Sequence, residues 1–203
     1  MQLVSSPASP FVRKVRVVLQ ETGLTDSVEE VFVATSALKS APEAIAANPL
    51  ARIPALVRND GPAIYDSRVI TRYLNARGGG TLYPEARIWE VLTLEATADG
   101  LLDSAVLMVY ETRLRPVEKQ SQEWMEAQWA KVARALDALD ARWMSHLHGP
   151  VDMGHIAVGC ALGYLDFRHG ARNWRAGRDA LAAWYDRFKE RPSMAATTPR
   201  DLT

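Results

Sequence analysis

The stretch PALVRNDGPAIYDSRVITRYLNAR, residues 54–77, decides how the first half of the chain folds. Residues 54–65 read as a hairpin that turns at Asn59-Asp60-Gly61, because Gly and Asx residues supply the positive φ values that tight connections need. Asp66-Ser67 follows as a side-chain cap for the helical run RVITRYLNAR at 68–77. Two strands leading straight into a capped helix are the pattern of an α/β unit.

Upstream, LVSSPASPFVRK at 3–14 places the apolar pair Leu3-Val4 before two prolines and three serines. The pair reads as a short strand, and Pro10 sits where a helix begins, so the Ser9 hydroxyl stands at a helix N-terminus. Phe11, Val15, Val18 and Leu19 share one face of that helix, whereas Arg13, Lys14, Arg16 and Gln20 fall away from it. Gly23 ends it. Val28–Val33 reads as a second strand and Pro42–Ala47 as a short helix. The order over 1–77 is therefore strand, helix, strand, helix, strand, strand, helix.

Downstream, GGGTLYPEAR breaks the pattern and sets a linker at 78–86. From 87 to 203 everything reads as helix: Trp89–Arg113 carries a long apolar stripe, and Pro116 separates it from the next segment. There Met125, Trp129, Val132, Leu136, Leu139 and Trp143 recur at alternating steps of three and four, the signature of a helix packed on helices. HIAVGCALGYLDF at 155–167 is apolar nearly all round, as the central helix of a bundle is. The predicted fold class is α/β plus all-α.

Composition narrows the function classes. With 203 residues the chain can bury an ample core, and 24 basic against 24 acidic residues give no electrostatic reason to expect nucleic acid or an anionic membrane as partner. One cysteine, Cys160, excludes an internal disulfide framework and a Cys-x-x-Cys pair, which fits a reducing compartment. No signal peptide is read at the N-terminus, and the longest apolar run, Ile156–Leu165, is too short for a membrane span. A cytoplasmic protein without resident metal or cofactor is expected.

A small α/β half joined by a short linker to an all-helical half resembles the cytosolic glutathione S-transferase superfamily, in particular its bacterial and omega-like members, here with serine. SPFVRKVRVVL is similar to the family's first helix, NPLARIPAL to the loop before the third strand, and YDSRVITRYL to the start of the glutathione-binding helix. DMGHIAVGCALGYLDFR resembles the central helix of the second domain, and ERPSMAATTP the chain end. The motifs follow the family's order over almost the whole chain. The resemblance implies a thioredoxin-like N-terminal domain, a C-terminal helical bundle, a homodimer, and glutathione as co-substrate.

The implied chemistry is specific. A free thiol has a pKa near 8.5, so conjugation at neutral pH requires a site that favours the thiolate. A helix N-terminus and a hydroxyl donor can do so, and Ser9 fits both that role and a plain N-cap; Ser5 and Ser6 are lesser candidates. Phe11 belongs to the same motif. The resemblance implies a cis peptide at Ile53-Pro54 that turns the Ile53 backbone to pair with the ligand's cysteinyl unit. For the γ-glutamyl carboxylate it implies the amides of Ser67 and Arg68 with the Ser67 hydroxyl, and for the ammonium Asp66. Lys39 and Arg52 are the cations available to the glycyl carboxylate.

A small hydrophobic electrophile is expected between the halves, with Met108, Tyr110 and Trp174 as lining candidates, and Asp99 or Asp103 is expected to reach across a two-fold dimer. Relatives open the central helix with Ser/Thr-x-x-Asp, whereas this chain has Asp152-Met153-Gly154-His155, so a neutral His155 must return the capping contact and stability should fall as pH drops through the histidine range. Cys160 reads as a small buried hydrophobe. The rival functions are a non-catalytic glutathione-binding carrier or interaction protein of the same fold, and a glutathione-dependent thiol reductase.

Overall fold

The computed structural model describes residues 1–202. The chain divides into two compact units: Met1–Glu85 with the segment from Pro192 onward, and Ala86–Arg191.

In the first unit, strands β1 (Gln2–Ser5), β2 (Glu29–Phe32) and β3 (Ala55–Val57) form a sheet in the order β2-β1-β3. β1 pairs parallel with β2, Leu3 opposite Glu30, and antiparallel with β3, Val4 opposite Ala55. Helices α1 (Pro10–Glu21), α2 (Pro42–Ala47) and α3 (Ser67–Arg77) connect and cover it. Val4, Val33, Ala41, Ala44, Ala47 and Ala55 form a buried cluster, and the small alanines let α2 lie close to the sheet.

Two local expectations are corrected. The second arm of the hairpin is not a strand but a single antiparallel bridge, Leu56 with Ile64. Pro62 has no N–H to offer, and its carbonyl takes the Arg58 guanidinium at 3.1 Å, so little backbone remains for a ladder. Arg13 and Lys14 do not fall away from the apolar face of α1; both are buried. α1 packs on α3 on one side and on α9 (Pro192–Ala195) on another, so the single-stripe reading understates how enclosed it is. That packing also draws the segment after Arg191 to the first unit, whereas the sequence division left it with the helical half.

The stretch after α3 is ordered rather than loose. Gly80 N–H donates to the Asn75 carbonyl at 2.8 Å, and Leu82 N–H to the Asn75 side chain at 3.0 Å. A Cβ on Gly78 would stand 2.7 Å from Thr22 Cβ, so the ends of α1 and α3 meet only because glycine is there.

The second unit is helical: α4 (Ile88–Leu114), α5 (Gln122–Arg142), α6 (Met144–Leu147), α7 (Met153–His169) and α8 (Asp179–Phe188). α7 is buried from Met153 to Leu165 and packs against α4, as its all-round apolar sequence requires. Met125, Val132, Leu136 and Leu139 form the buried stripe of α5, while Trp129 and Trp143 are half-buried at its margin. Cys160 is buried. No helix among the described residues is long and apolar enough to cross a membrane.

The capping box of α7 forms with histidine in the returning position. Asp152 Oδ1 accepts from His155 N–H at 3.3 Å, and His155 Nδ1 lies 3.3 Å from Asp152 N. The same carboxylate also holds His155 Nδ1 and His146 Nε2, each at 2.8 Å, with Arg87 Nη2 at 3.4 Å. These two histidines and Asp152 bring three ligand-type atoms within 4.8 Å, but Arg87 already supplies the positive charge beside the carboxylate.

Candidate functional site

Sheet register alone gathers the site. Val4 is opposite Ala55, so continuing one step sets Pro54 beside Ser5 at the C-terminal end of β1. The Leu56–Ile64 bridge ties the segment that leads into Asp66 to the outer edge of β3. Ser9 follows Ser5 by one short turn, closed by Ser9 N–H donating to Ser6 O at 3.0 Å. The loop before α1, the turn before β3 and the cap of α3 thus share one end of the sheet.

Ser9 is the N-cap of α1, with extended backbone (φ −81°, ψ 123°) and Pro10 at the first helical position. Its Oγ accepts from Val12 N–H at 3.3 Å, which uses a lone pair and leaves the hydroxyl proton for another acceptor. The two readings of Ser9, cap and donor, are therefore compatible in one side chain. Ser5 is otherwise engaged: it is fully buried and donates to Glu30 Oε2 at 2.8 Å, while Arg16 Nε holds Glu30 Oε1 at 3.0 Å. Ser6 is half-buried and contributes its carbonyl to the turn. Phe11 is half-buried in the first turn of α1.

The Ile53–Pro54 peptide is cis, and so is Tyr65–Asp66. Ile53 is partly buried, its side chain packed against the sheet cluster. The loop leading into it is organised by a residue the sequence reading passed over. Asn48 is buried, accepts from Leu50 N–H at 2.9 Å and donates to the Arg52 carbonyl at 3.0 Å, while Ala51 takes a left-handed φ of 52° between them. The Asn-Pro pair at 48–49 was the available signal, since Asn side chains commonly imitate a backbone turn. Arg52 itself is exposed, and so is Lys39, which closes a small turn with Ser36.

Asp66 caps α3, accepting from Arg68 N–H at 3.0 Å on Oδ1 and from Arg68 Nη2 at 3.2 Å on Oδ2. Burial works to raise the Asp66 carboxyl, but the Arg68 hydrogen bonds and charge, with the charge of Lys14, outweigh it and hold the group below its ordinary range. The Arg68 amide is thus spent on Asp66 rather than open to an incoming carboxylate, which corrects one expectation. The Ser67 amide and hydroxyl are the groups left for that task at the α3 N-terminus. Ser67 is buried, and its carbonyl is held by Thr71 Oγ1 at 2.9 Å.

In the second unit, Met108 is buried on α4 and Tyr110 lies partly exposed two residues on. Trp174 is an interior residue there: it is 1 % exposed, donates its indole N–H to Asp166 Oδ1 at 2.7 Å, and carries the Arg175 guanidinium 4.4 Å over its ring. On α4, Asp99 is buried and Asp103 exposed.

Comparison with known proteins places this arrangement in a family. The glutathione S-transferase N-terminal domain model matches residues 8–77 and the C-terminal domain model residues 122–187. An uncharacterized GST-like protein of Escherichia coli K12, YibF, is 32 % identical over 98 % of both chains. The chain belongs to the glutathione S-transferase superfamily, with its thioredoxin-like N-terminal domain and helical C-terminal domain. Among solved structures, a glutathione transferase family member from Pseudomonas fluorescens Pf-5 with bound glutathione is 44 % identical, covers 98 % of each chain and superposes with a TM-score of 0.96. A glutathione S-transferase from Methylobacillus flagellatus KT, also with glutathione bound, is 35 % identical over 98 % of this chain and 99 % of its own, with a TM-score of 0.85.

Proposed function

We propose that the chain is a glutathione transferase that binds glutathione at the sheet end of its first unit, stabilises the thiolate and adds it to a small hydrophobic electrophile. The observation that carries this reading is the Ser9 hydroxyl: a helix N-cap that keeps its proton, one short turn after the strand that pairs with β3 just beyond the cis Pro54. The glutathione bound by the two similar structures supports the choice of ligand.

The residues divide the tripeptide by chemistry. Ser9 donates to the sulfur, and the α1 N-terminus adds its partial positive charge. Phe11 shields that thiolate from water on the helix side. The Ile53 backbone pairs with the cysteinyl unit as an added strand would. Ser67 receives the γ-glutamyl carboxylate and Asp66 the ammonium, while Lys39 and Arg52 serve the glycyl carboxylate. The thiolate then attacks an electrophilic carbon; the leaving group departs with the electron pair of the broken bond, and no redox partner is needed.

Met108 and Tyr110 are the better candidates for the electrophile's surroundings, since the Trp174 ring is already enclosed by its own unit. A cytoplasmic homodimer, with Asp99 or Asp103 reaching the partner's ammonium site, completes the reading.

Calorimetry with glutathione, followed by ultraviolet titration of the bound thiol in wild type and Ser9→Ala, tests it. A thiol pKa lowered in wild type and restored in the variant, with turnover of an activated aryl halide, is the expected result. Binding with no lowered pKa and no turnover would identify a carrier, and no binding at millimolar glutathione would overturn the reading.

A further inference from the structure

Arg13 is buried at 4 % exposure, one helical turn past Ser9, whose carbonyl accepts from Arg13 N–H at 3.0 Å. Its Nη2 donates to the Met194 carbonyl at 3.0 Å, and its Nε and Nη1 have no hydrogen-bond partner. A buried guanidinium with two unpartnered nitrogens is costly, so its retention calls for a reason.

The partner it does have belongs to a segment that touches the same helix and loop at two further places. Ser193, beside Met194, hydrogen-bonds Glu21 in the last turn of α1. Arg200 N–H donates to the Pro7 carbonyl at 3.3 Å, two residues before Ser9. Ser193, Met194 and Thr197 are all buried along the way. Residues 193–200 therefore hold α1 at its far end, in its second turn, and in the loop that presents the Ser9 hydroxyl.

We propose that the segment from Pro192 to Arg200 is a strap that fixes the Ser9 loop in its thiolate-binding shape, with Arg13 as its anchor and positioning residue. This rests on the glutathione reading above. A hydroxyl donor is effective only when held near 3 Å from its target in the right direction, so slack in the 6–9 loop weakens the bond to sulfur before it unfolds anything. Arg13 also brings a positive charge whose sign matches the α1 N-terminus. The other elements packed on α1 in this unit do little to cancel it. α9 has no charged side chain, the charged residues of α3 are Arg68, Arg72 and Arg77, and its cap Asp66 is committed to Arg68. On α1 itself Lys14 and Arg16 are basic, Arg16 being paired with Glu30, and Glu21 lies at the opposite end; Asp26 in the short turn after α1 is exposed.

The test compares wild type with Arg13→Met, Arg13→Lys and a chain ended at Thr198, each checked for folding by its melting temperature. The readouts are the dissociation constant of glutathione and the ultraviolet titration of its bound thiol. Arg13→Met is expected to raise the thiol pKa by about one unit, a roughly tenfold smaller thiolate fraction at neutral pH, with Arg13→Lys recovering part of it. The chain ended at Thr198 loses the Arg200–Pro7 contact while keeping those of Ser193 and Met194, and is expected to shift the pKa in the same direction by less, at a melting temperature close to that of wild type. Wild-type binding with an unchanged thiol pKa in the shortened chain and in Arg13→Lys overturns the strap alone. Wild type that fails to bind glutathione overturns both the strap and the reading beneath it.

Discussion

Ser5 and Ser9 end and restart the same turn but are wired oppositely: Ser5 gives its proton to Glu30 at 2.8 Å, whereas Ser9 receives one from Val12 N–H at 3.3 Å. The serine that accepts is the one with a proton left to give. That asymmetry favours Ser9 over Ser5 as the proposed thiol partner.

Ser9→Ala is accordingly expected to do two separable things. Loss of the cap lowers unfolding stability by about 1 kcal/mol, and loss of the donor raises the bound thiol's pKa. Ser9→Asn should restore much of the cap without restoring the hydroxyl. Denaturant melts of the two variants together with thiol titrations check the separation; parallel recovery of both properties in Ser9→Asn would contradict it.

Asp66→Asn keeps a capping oxygen for Arg68 N–H but removes the charge. Because the folded carboxyl is held below its ordinary value, its contribution to stability is present above the ordinary carboxylate range and is lost as pH falls through the lowered folded value. Half-exposed as the pair is, the stability effect at pH 7 should stay within about 1 kcal/mol. Glutathione affinity should fall more clearly, and the loss should disappear for a glutathione analogue lacking the γ-glutamyl amine. Calorimetry with the two ligands measures this.

Asp152 is the more consequential acid. Its own burial would raise it, but the hydrogen bond and charge of His155, then those of His146, hold it below the ordinary carboxylate value. Stability from this cluster is therefore complete above about pH 4 and lost as pH falls through the lowered folded value. Unfolding midpoints from pH 2.5 to 7 should show that step in wild type and not in Asp152→Asn. Asp152→Ala, which strands Arg87 and both imidazoles, should cost about 3 kcal/mol at neutral pH.

Gly154 lets α7 lie directly against Leu94 of α4. A Cβ there would stand 2.9 Å from Leu94 Cβ and 3.0 Å from its Cδ1, so Gly154→Ala forces the helices apart despite its better helix propensity. A loss of about 1–3 kcal/mol in urea unfolding is expected.

Much of this was legible in the chain. The helices of both units, the Ser9 and Asp66 caps and the Asp152–His155 box follow from patterns within a few residues. What escaped depends on partners distant in sequence. Periodicity sees one apolar stripe on α1, yet Arg13 meets a carbonyl 181 residues away. The engagement of Ser5 by Glu30 needs the pairing of β1 with β2, and the loss of the second hairpin arm depends on where Arg58 sends its guanidinium. Asn48 was within reach, since Asn-Pro announces a turn, but its hold on the Arg52 carbonyl becomes visible only in three dimensions.

The hairpin's second arm is joined to β3 by two hydrogen bonds, Leu56 N–H to Ile64 O and Ile64 N–H to Leu56 O, both at 2.9 Å. So thin a seam predicts that residues 58–65 open ahead of the rest of the domain, held mainly by the packing of Ala63 and Tyr65 on the buried cluster, and amide exchange would measure it. Asp66-Ser67 begins where that unit ends, so a ligand gripping the α3 cap closes its free end and slows its opening. Occupancy of the site would be written into the exchange rate of the Ile64 amide, a reporter that belongs to the backbone and needs no label.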